Sequence, residues 1–416
     1  MSKNSVHTLI LKDSQIKKFS AYGFLKNLKF FEPYLLIYLL GNGLTLFQIG
    51  LLISIKEIVV NIFEIPSGLL ADYLGRKKEL CTCFIFYIIS FVLYFLTNNF
   101  LIASSAMIFF GLGEAFRSGT HKSMIYTYLE INGWEEEKTF VYGRTRSYSL
   151  LGSALSALIG IVLIIGLPNS SYIFLVAIIP YLADFLLILS YPKELDTIDL
   201  SSSEIGSLRE MIKGISLNIK NRKNLRKLLL SNGIYESMID STKDLIQPIF
   251  ESIFIGSSIL IITSLSEEKN LKIALGISYF IIYILSSSAS KGSYRLEKYR
   301  SKKFWLNTFF ILLIVSFLIL FVLLDSVYVV LFAYIFIYLL KNFRKPIYMD
   351  ILDDNMEKYE RATILSFSSQ IKSLFTIILA PLIGYTGDQF GLNYAMLSVA
   401  IILIIFIPIS ITKKHE

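Results

Sequence analysis

An all-α polytopic membrane protein, with twelve transmembrane helices in two six-helix halves, is the fold class this sequence predicts. Three observations predict it. Of 416 residues, 54% are hydrophobic and only 17% are charged, and the mean hydropathy is +0.61. That leaves too little polar surface for a soluble protein of this length. Apolar runs of about 20 residues recur along the chain, and ~20 residues at ~1.5 Å rise cross a ~30 Å hydrocarbon core. A helix satisfies its own backbone groups there, where water cannot. Lastly, the longest polar connection, residues 192–226, leaves six runs on either side.

The apolar pattern places the spans at 22–41, 48–70, 79–97, 100–124, 142–166, 171–191, 227–263, 271–290, 304–324, 327–348, 362–385 and 392–411. The seventh is too long for one plain span and is expected to bend at Pro248. Pro66, Pro180, Pro346 and Pro381 fall inside other spans, where kinks are tolerated. The domains follow: a bundle over 1–191, a linker over 192–226 and a second bundle over 227–416. Within the linker, Ile205, Leu208, Ile212, Ile215 and Ile219 recur at helical spacing with Arg209, Lys213 and Lys220 between them. That pattern predicts an amphipathic helix lying on the membrane surface.

The net charge is +8, and its distribution assigns it. Basic residues gather in alternate connections, as at Arg76, Lys77 and Lys78 or Lys220, Arg222 and Lys223. The other connections are short and hold only Lys269, with Lys272 at the edge. The positive-inside rule then puts both termini in the cytoplasm of a multi-pass plasma (inner) membrane protein. Topology and anionic lipid account for the basic balance, and nucleic acid is not an expected partner. The first span follows Lys3, Lys12, Lys17 and Lys18 with no short apolar core and cleavage site, so a removed signal peptide is not expected. Cys81 and Cys83 point about 200° apart on a helix, which disfavours a disulfide or a metal pair. With histidine only at positions 7, 121 and 415, and no phosphate-binding loop, no catalytic or metal motif is present. The expected partners are the bilayer and a small-molecule substrate, the expected state is a monomer, and neither enzyme activity nor a cofactor is expected.

The turn after the second span reads Gly68-Leu-Leu-Ala71-Asp72-Tyr-Leu-Gly75-Arg76-Lys77. It resembles the signature loop of the major facilitator superfamily, approximately G-x-L-A-D-r-x-G-r-k/r. The spacing Glu64-x-Pro66-x5-Asp72-x3-Arg76-Lys77 looks like a branch that includes some tetracycline exporters. The resemblance implies two pseudo-symmetric halves, alternating access and a proton gradient as energy source. The residues supply a physical reading of their own. Gly68 would permit close approach of another helix, and Gly75 a tight turn. Asp72 at a helix C-terminus needs a cation, which Arg76 and Lys77 can supply. Such a cluster can act as a gate. The pattern is incomplete elsewhere: the second half has no Asp at the matching turn, and the segment from Gly152 to Gly160 lacks the proline that exporters often carry in span five.

Glu57, Asn61, Glu64, Gly68 and Asp72 follow one another at steps of 4, 3, 4 and 4, one helical face. Carboxylates inside a bilayer are costly and mark function by default, so Glu57 and Glu64 are the proton-coupling candidates. Pairing with Lys56 or with a basic residue of another span is their alternative. Span four carries Glu114, Arg117 and His121 at steps of 3 and 4, followed by Lys122. Span seven carries Glu236, Asp240, Lys243, Asp244 and Gln247 on another polar face, and span one adds Lys29 and Glu32. Glu32, Glu114, Arg117, His121, Lys122, Glu236, Asp240, Lys243, Asp244 and Gln247 are the substrate-binding candidates. The alternatives are a structural Glu114–Arg117 pair and a solvated start of span seven. The resemblance implies that spans one, four, seven and ten line the cavity, with Arg117 where many relatives carry an arginine. Asn342, Arg344, Lys345, Asp350, Asp353 and Asp354 are expected at the inner mouth. The function expected is secondary active transport of a small polar or charged molecule, first as proton-coupled export. The alternatives are proton-driven uptake of a nutrient or siderophore-like compound, and a non-transporting receptor or sensor of the same fold.

Overall fold

Glycine, proline and a few side-chain caps decide where the apolar helices of this chain begin, break and stop. The computed structural model describes residues 3–196, 222–255, 261–292, 296, 299–356 and 361–410. The amphipathic segment 205–219 and most of the basic turn after span eight lie outside the described residues. Among those described, every regular element is helical, and nine helical segments are long and apolar enough to cross a membrane. The helices are α1 (Lys3–Lys12), α2 (Ser14–Lys26), α3 (Leu35–Gly41), α4 (Leu46–Leu74), α5 (Arg76–Phe95), α6 (Phe100–Arg117), α7 (Thr120–Ile131), α8 (Lys138–Gly166) and α9 (Tyr172–Leu189). They continue as α10 (Lys223–Thr242), α11 (Ile246–Phe254), α12 (Glu267–Gly292), α13 (Lys302–Val322), α14 (Val327–Asp354), α15 (Arg361–Phe390), α16 (Leu392–Ile405) and α17 (Ile407–Ser410).

Four expected spans are interrupted, the twelfth at Phe406 between α16 and α17. Span one unwinds over residues 27–34, between α2 and α3. Pro33 lies inside that stretch; it has no N–H to donate and disfavours helical geometry at Glu32. Span four breaks at Ser118 and Gly119, where Gly119 takes a positive φ of 80°, and α7 then carries the span on to Ile131. Span seven gives way to a 3₁₀ turn at Lys243–Leu245 rather than at Pro248 itself. A proline clashes with the carbonyl four residues earlier, here Asp244, which explains the offset. At the eleventh span, α15 runs through Phe390, past the end expected at 385, because it is Gly391, at φ 99°, that ends it.

The chain separates into two compact units, Met1–Tyr38 with Val59–Ser202, and Leu39–Ile58 with Ser203–Glu416. In the first, α2 packs on α8, and α5 on α6 and α9. Small residues allow this closeness, as expected for helices in lipid. A Cβ on Gly152 would overlap the Phe24 carbonyl oxygen, and one on Gly160 would stand 3.0 Å from the Phe30 carbonyl oxygen. The glycines of span five therefore seat the end of α2 and the unwound stretch. An aromatic core fills the centre, with Tyr181 edge-on to Phe91 at 4.8 Å and to Tyr87 at 5.2 Å.

In the second unit, α10 packs on α15, and α13 on α14 and α16. The start of α4 docks on α15. Thr45 and Gln48 cap α4 reciprocally, Gln48 N donating to Thr45 Oγ1 at 3.2 Å and Thr45 N to Gln48 Oε1 at 3.0 Å. Asp388 takes two more free donors, from Leu46 N at 2.9 Å and Phe47 N at 2.8 Å. Gly50 and Gly384 make the approach possible: a Cβ on Gly384 would overlap the Leu46 carbonyl oxygen, and one on Gly50 would sit 2.6 Å from Pro381 Cα. Neither obstacle is a flexible side chain. Gly384→Ala is therefore expected to cost about 1–3 kcal/mol, read as a lowered unfolding midpoint of the purified chain. An unchanged midpoint would contradict this packing.

Candidate functional site

The first unit gathers its membrane charges beside two helix breaks. Glu114, in the last turn of α6, accepts from Arg117 Nη2 at 2.6 Å and from Tyr87 Oη at 2.7 Å. Lys29, from the unwound stretch of span one, brings Nζ to 3.8 Å from the same carboxylate and lies over the Phe110 ring. Arg117 Nε also donates to Tyr87 Oη at 3.3 Å. These are charge-assisted contacts inside a membrane helix bundle, where an uncompensated ion is costly. Glu32 is half-buried in the same unwound stretch.

His121 and Lys122 turn away from Glu114 but line one cavity with Arg117. The expectation that Glu114, Arg117 and His121 share a face assumes a continuous helix, and the break at Gly119 removes that premise. His121 stacks on Tyr22 with centroids 3.6 Å apart, meets Phe19 edge-on, and places Nε2 3.2 Å from Tyr191 Oη. Lys122 is exposed and covers the rings of Tyr126 and Tyr142.

The span-two carboxylates divide between the units. Glu64 accepts from Ser118 Oγ at 2.7 Å, and Ser67 Oγ donates to the Ala115 carbonyl at 3.0 Å, so this turn of α4 is pinned to the end of α6. Glu57 belongs to the second unit, 3.0 Å from Lys56 Nζ and accepting from Ser373 Oγ at 2.8 Å. It is thus paired with the Lys56 named as its alternative.

The signature turn is built as a helix-to-helix corner. Gly75, at φ 100°, links α4 to α5 directly. A Cβ on Gly68 would meet nothing within 4 Å among the described residues, so the close helix approach expected there is absent. Helix α4 includes Asp72, whose side chain lies outside the described residues. Arg76 Nη1 donates to Thr127 Oγ1 at 2.9 Å, and Lys77 Nζ to the Tyr191 carbonyl at 3.0 Å. Asp196 accepts from Lys77 N at 2.9 Å, placing an anion on the N-terminus of α5. Nothing local in the sequence singles out Asp196, 119 residues away and at the head of a polar linker.

In the second unit, Asp240 is held by two lysines from different helices. Lys341 of α14 contacts Oδ1, and Lys372 Nζ of α15 lies 2.6 Å from Oδ2. Both lysines were outside the expected binding set. Asp244 accepts from Tyr279 Oη at 2.9 Å, Tyr279 Oη accepts from Gln247 Nε2 at 3.0 Å, and Lys243 Nζ stands 3.8 Å from Asp244. Glu236 is 9% exposed. Arg344, expected at the inner mouth, is buried: it donates to Asn232 Oδ1 at 2.7 Å and lies 4.1 Å over the Tyr235 ring. The ring and the amide replace a solvent shell. Among the described residues, no cluster of His, Cys, Asp and Glu could hold a metal.

The chain from residue 21 to residue 374 matches the family described as Major Facilitator Superfamily. Over 93 residues it is 32% identical to an uncharacterized MFS-type transporter, YxaM, of Bacillus subtilis (strain 168), a match covering 22% of this chain and 23% of that relative. The crystal structure of the nucleoside transporter NupG is similar with a TM-score of 0.77 at 12% identity, over 95% of this chain and 98% of that one. An inward-facing, occupied structure of a bacterial homolog of the human lysosomal transporter Spinster is similar with a TM-score of 0.73 at 14% identity, over 95% of both chains. At such identities the likeness is one of fold.

Proposed function

The chain belongs to the Major Facilitator Superfamily, and from that premise we propose that it moves a small charged molecule across the plasma membrane by alternating access, as a proton-coupled exporter with cytoplasmic termini. It is a transporter by family and not an enzyme. One observation carries the site: Lys29, Glu114 and Arg117 meet where span one is unwound and span four is broken. Discontinuous membrane helices free backbone groups and polar side chains for a ligand, and in transporters they build the substrate site. Export is supported by the exporter-like spacing from Glu64 through Pro66 to Asp72. Proton coupling is supported by Glu64, a carboxylate within span two that meets the Ser118 hydroxyl, whereas Glu57 is ion-paired with Lys56.

The test is flux in reconstituted vesicles loaded with ligands that stabilise the purified chain. Wild type should move substrate outward under an imposed pH gradient, and Arg117→Ala should lose that flux by more than about tenfold, the effect of removing a charge-assisted contact. Flux indifferent to the gradient would overturn coupling. Bound ligand without turnover would overturn transport.

A further inference from the structure

We propose that the cavity between α2, the α6–α7 break and α8 binds a small aromatic anion, a flat ring carrying one phosphate or carboxylate group. This deepens the reading of the first unit as a substrate half and rests on it. The cavity, open on one side, has a volume of about 250 Å³. That is room for one ring with one charged group.

The charge census points to an anion. Lys26, Arg117, Lys122 and Arg146 all line the cavity, and no carboxylate does. Arg117 alone is ion-paired, with Glu114. Among the described residues no carboxylate comes within ion-pair distance of Lys26, Lys122 or Arg146. Several like charges converging on one pocket repel one another, and an anion that enters removes the repulsion. Lys26 further sits in the last turn of α2, where its charge suits the helix dipole, and its ammonium is left for a ligand.

The walls point to a ring. Tyr142 offers an exposed ring to this space, and the buried Phe19 and Tyr22, with His121 stacked on Tyr22, form the rigid aromatic backing behind it. Lys122 already lies over Tyr142, so cation and ring stand side by side. A flat ligand can stack on such a wall while its charged end meets Lys26 and Arg146.

The test uses the purified full-length chain at low salt and three probes: phenyl phosphate, phenol and inorganic phosphate. Phenyl phosphate should raise the unfolding midpoint saturably, by mass action, and more than either fragment at equal concentration. Lys26→Gln and Arg146→Gln should each weaken its apparent affinity by about tenfold, and added salt should weaken it further. Arg146 is exposed on α8, so its variant remains informative if Lys26→Gln fails to fold. No shift with phenyl phosphate, an equal shift with phenol, or unchanged affinity in the Arg146 variant overturns the proposal. Phenyl phosphate binding without any substrate flux sinks transport and leaves the site standing. Arg117-dependent flux without phenyl phosphate binding does the reverse.

Discussion

Asp240→Asn is expected to destabilise the chain by about 3 kcal/mol, near the lower end of what breaking a buried ion pair costs. The substitution keeps the shape and removes the charge. Lys341 and Lys372 then face each other across a neutral amide, with side chains only 23% and 28% exposed. Their exposure keeps the cost from reaching the fully buried limit. Three helices of the second unit, α10, α14 and α15, meet at this carboxylate, so the loss falls on packing between them as well as on the charges. A second variant separates the two contributions. Asp240→Asn with Lys372→Met removes one stranded ammonium and should recover more than half of the lost stability in denaturant or thermal unfolding. Wild-type stability in the single variant would mean that the lysines are solvated independently of Asp240. A double variant no better than the single one would place the cost in geometry rather than charge.

The membrane fold was legible because it rests on composition and run length, which bilayer thickness reads directly. The corner at Gly75 was legible for a similar reason: one residue type, one local geometry. The breaks were harder. Gly119 interrupts a segment whose polar spacing of 3 and 4 is that of an intact helix, and periodicity carries no record of a single positive φ. The break in span seven lies upstream of the proline that causes it, since the clash is with the carbonyl of Asp244. Pairings were least legible. Lys341 and Lys372 reach Asp240 from 101 and 132 positions away in sequence, and only the fold brings them together. Gly68 shows the converse: a motif position assigned to close helix contact meets nothing among the described residues, while Gly50 and Gly384, outside any motif, carry such a contact.

Glu114→Gln should move stability and ligand affinity in opposite directions. The glutamine can still accept from Tyr87, but the charges of Arg117 and Lys29 lose their shared counter-ion at 2.6 and 3.8 Å. With side chains 20% to 25% exposed, the loss should again be about 3 kcal/mol. An anion in the neighbouring cavity gains from the same change. Arg117 lines that cavity, and Glu114 both neutralises it and holds its guanidinium by the 2.6 Å contact. Without the carboxylate, phenyl phosphate should bind more tightly, by about tenfold for each ~1.4 kcal/mol of attraction released. A structural pair that merely locks α6 would give the first effect without the second. Equal losses of stability and affinity would show instead that Glu114 shapes the cavity. A tighter-binding but less stable variant is the outcome expected of a carboxylate that holds Arg117 in reserve for substrate.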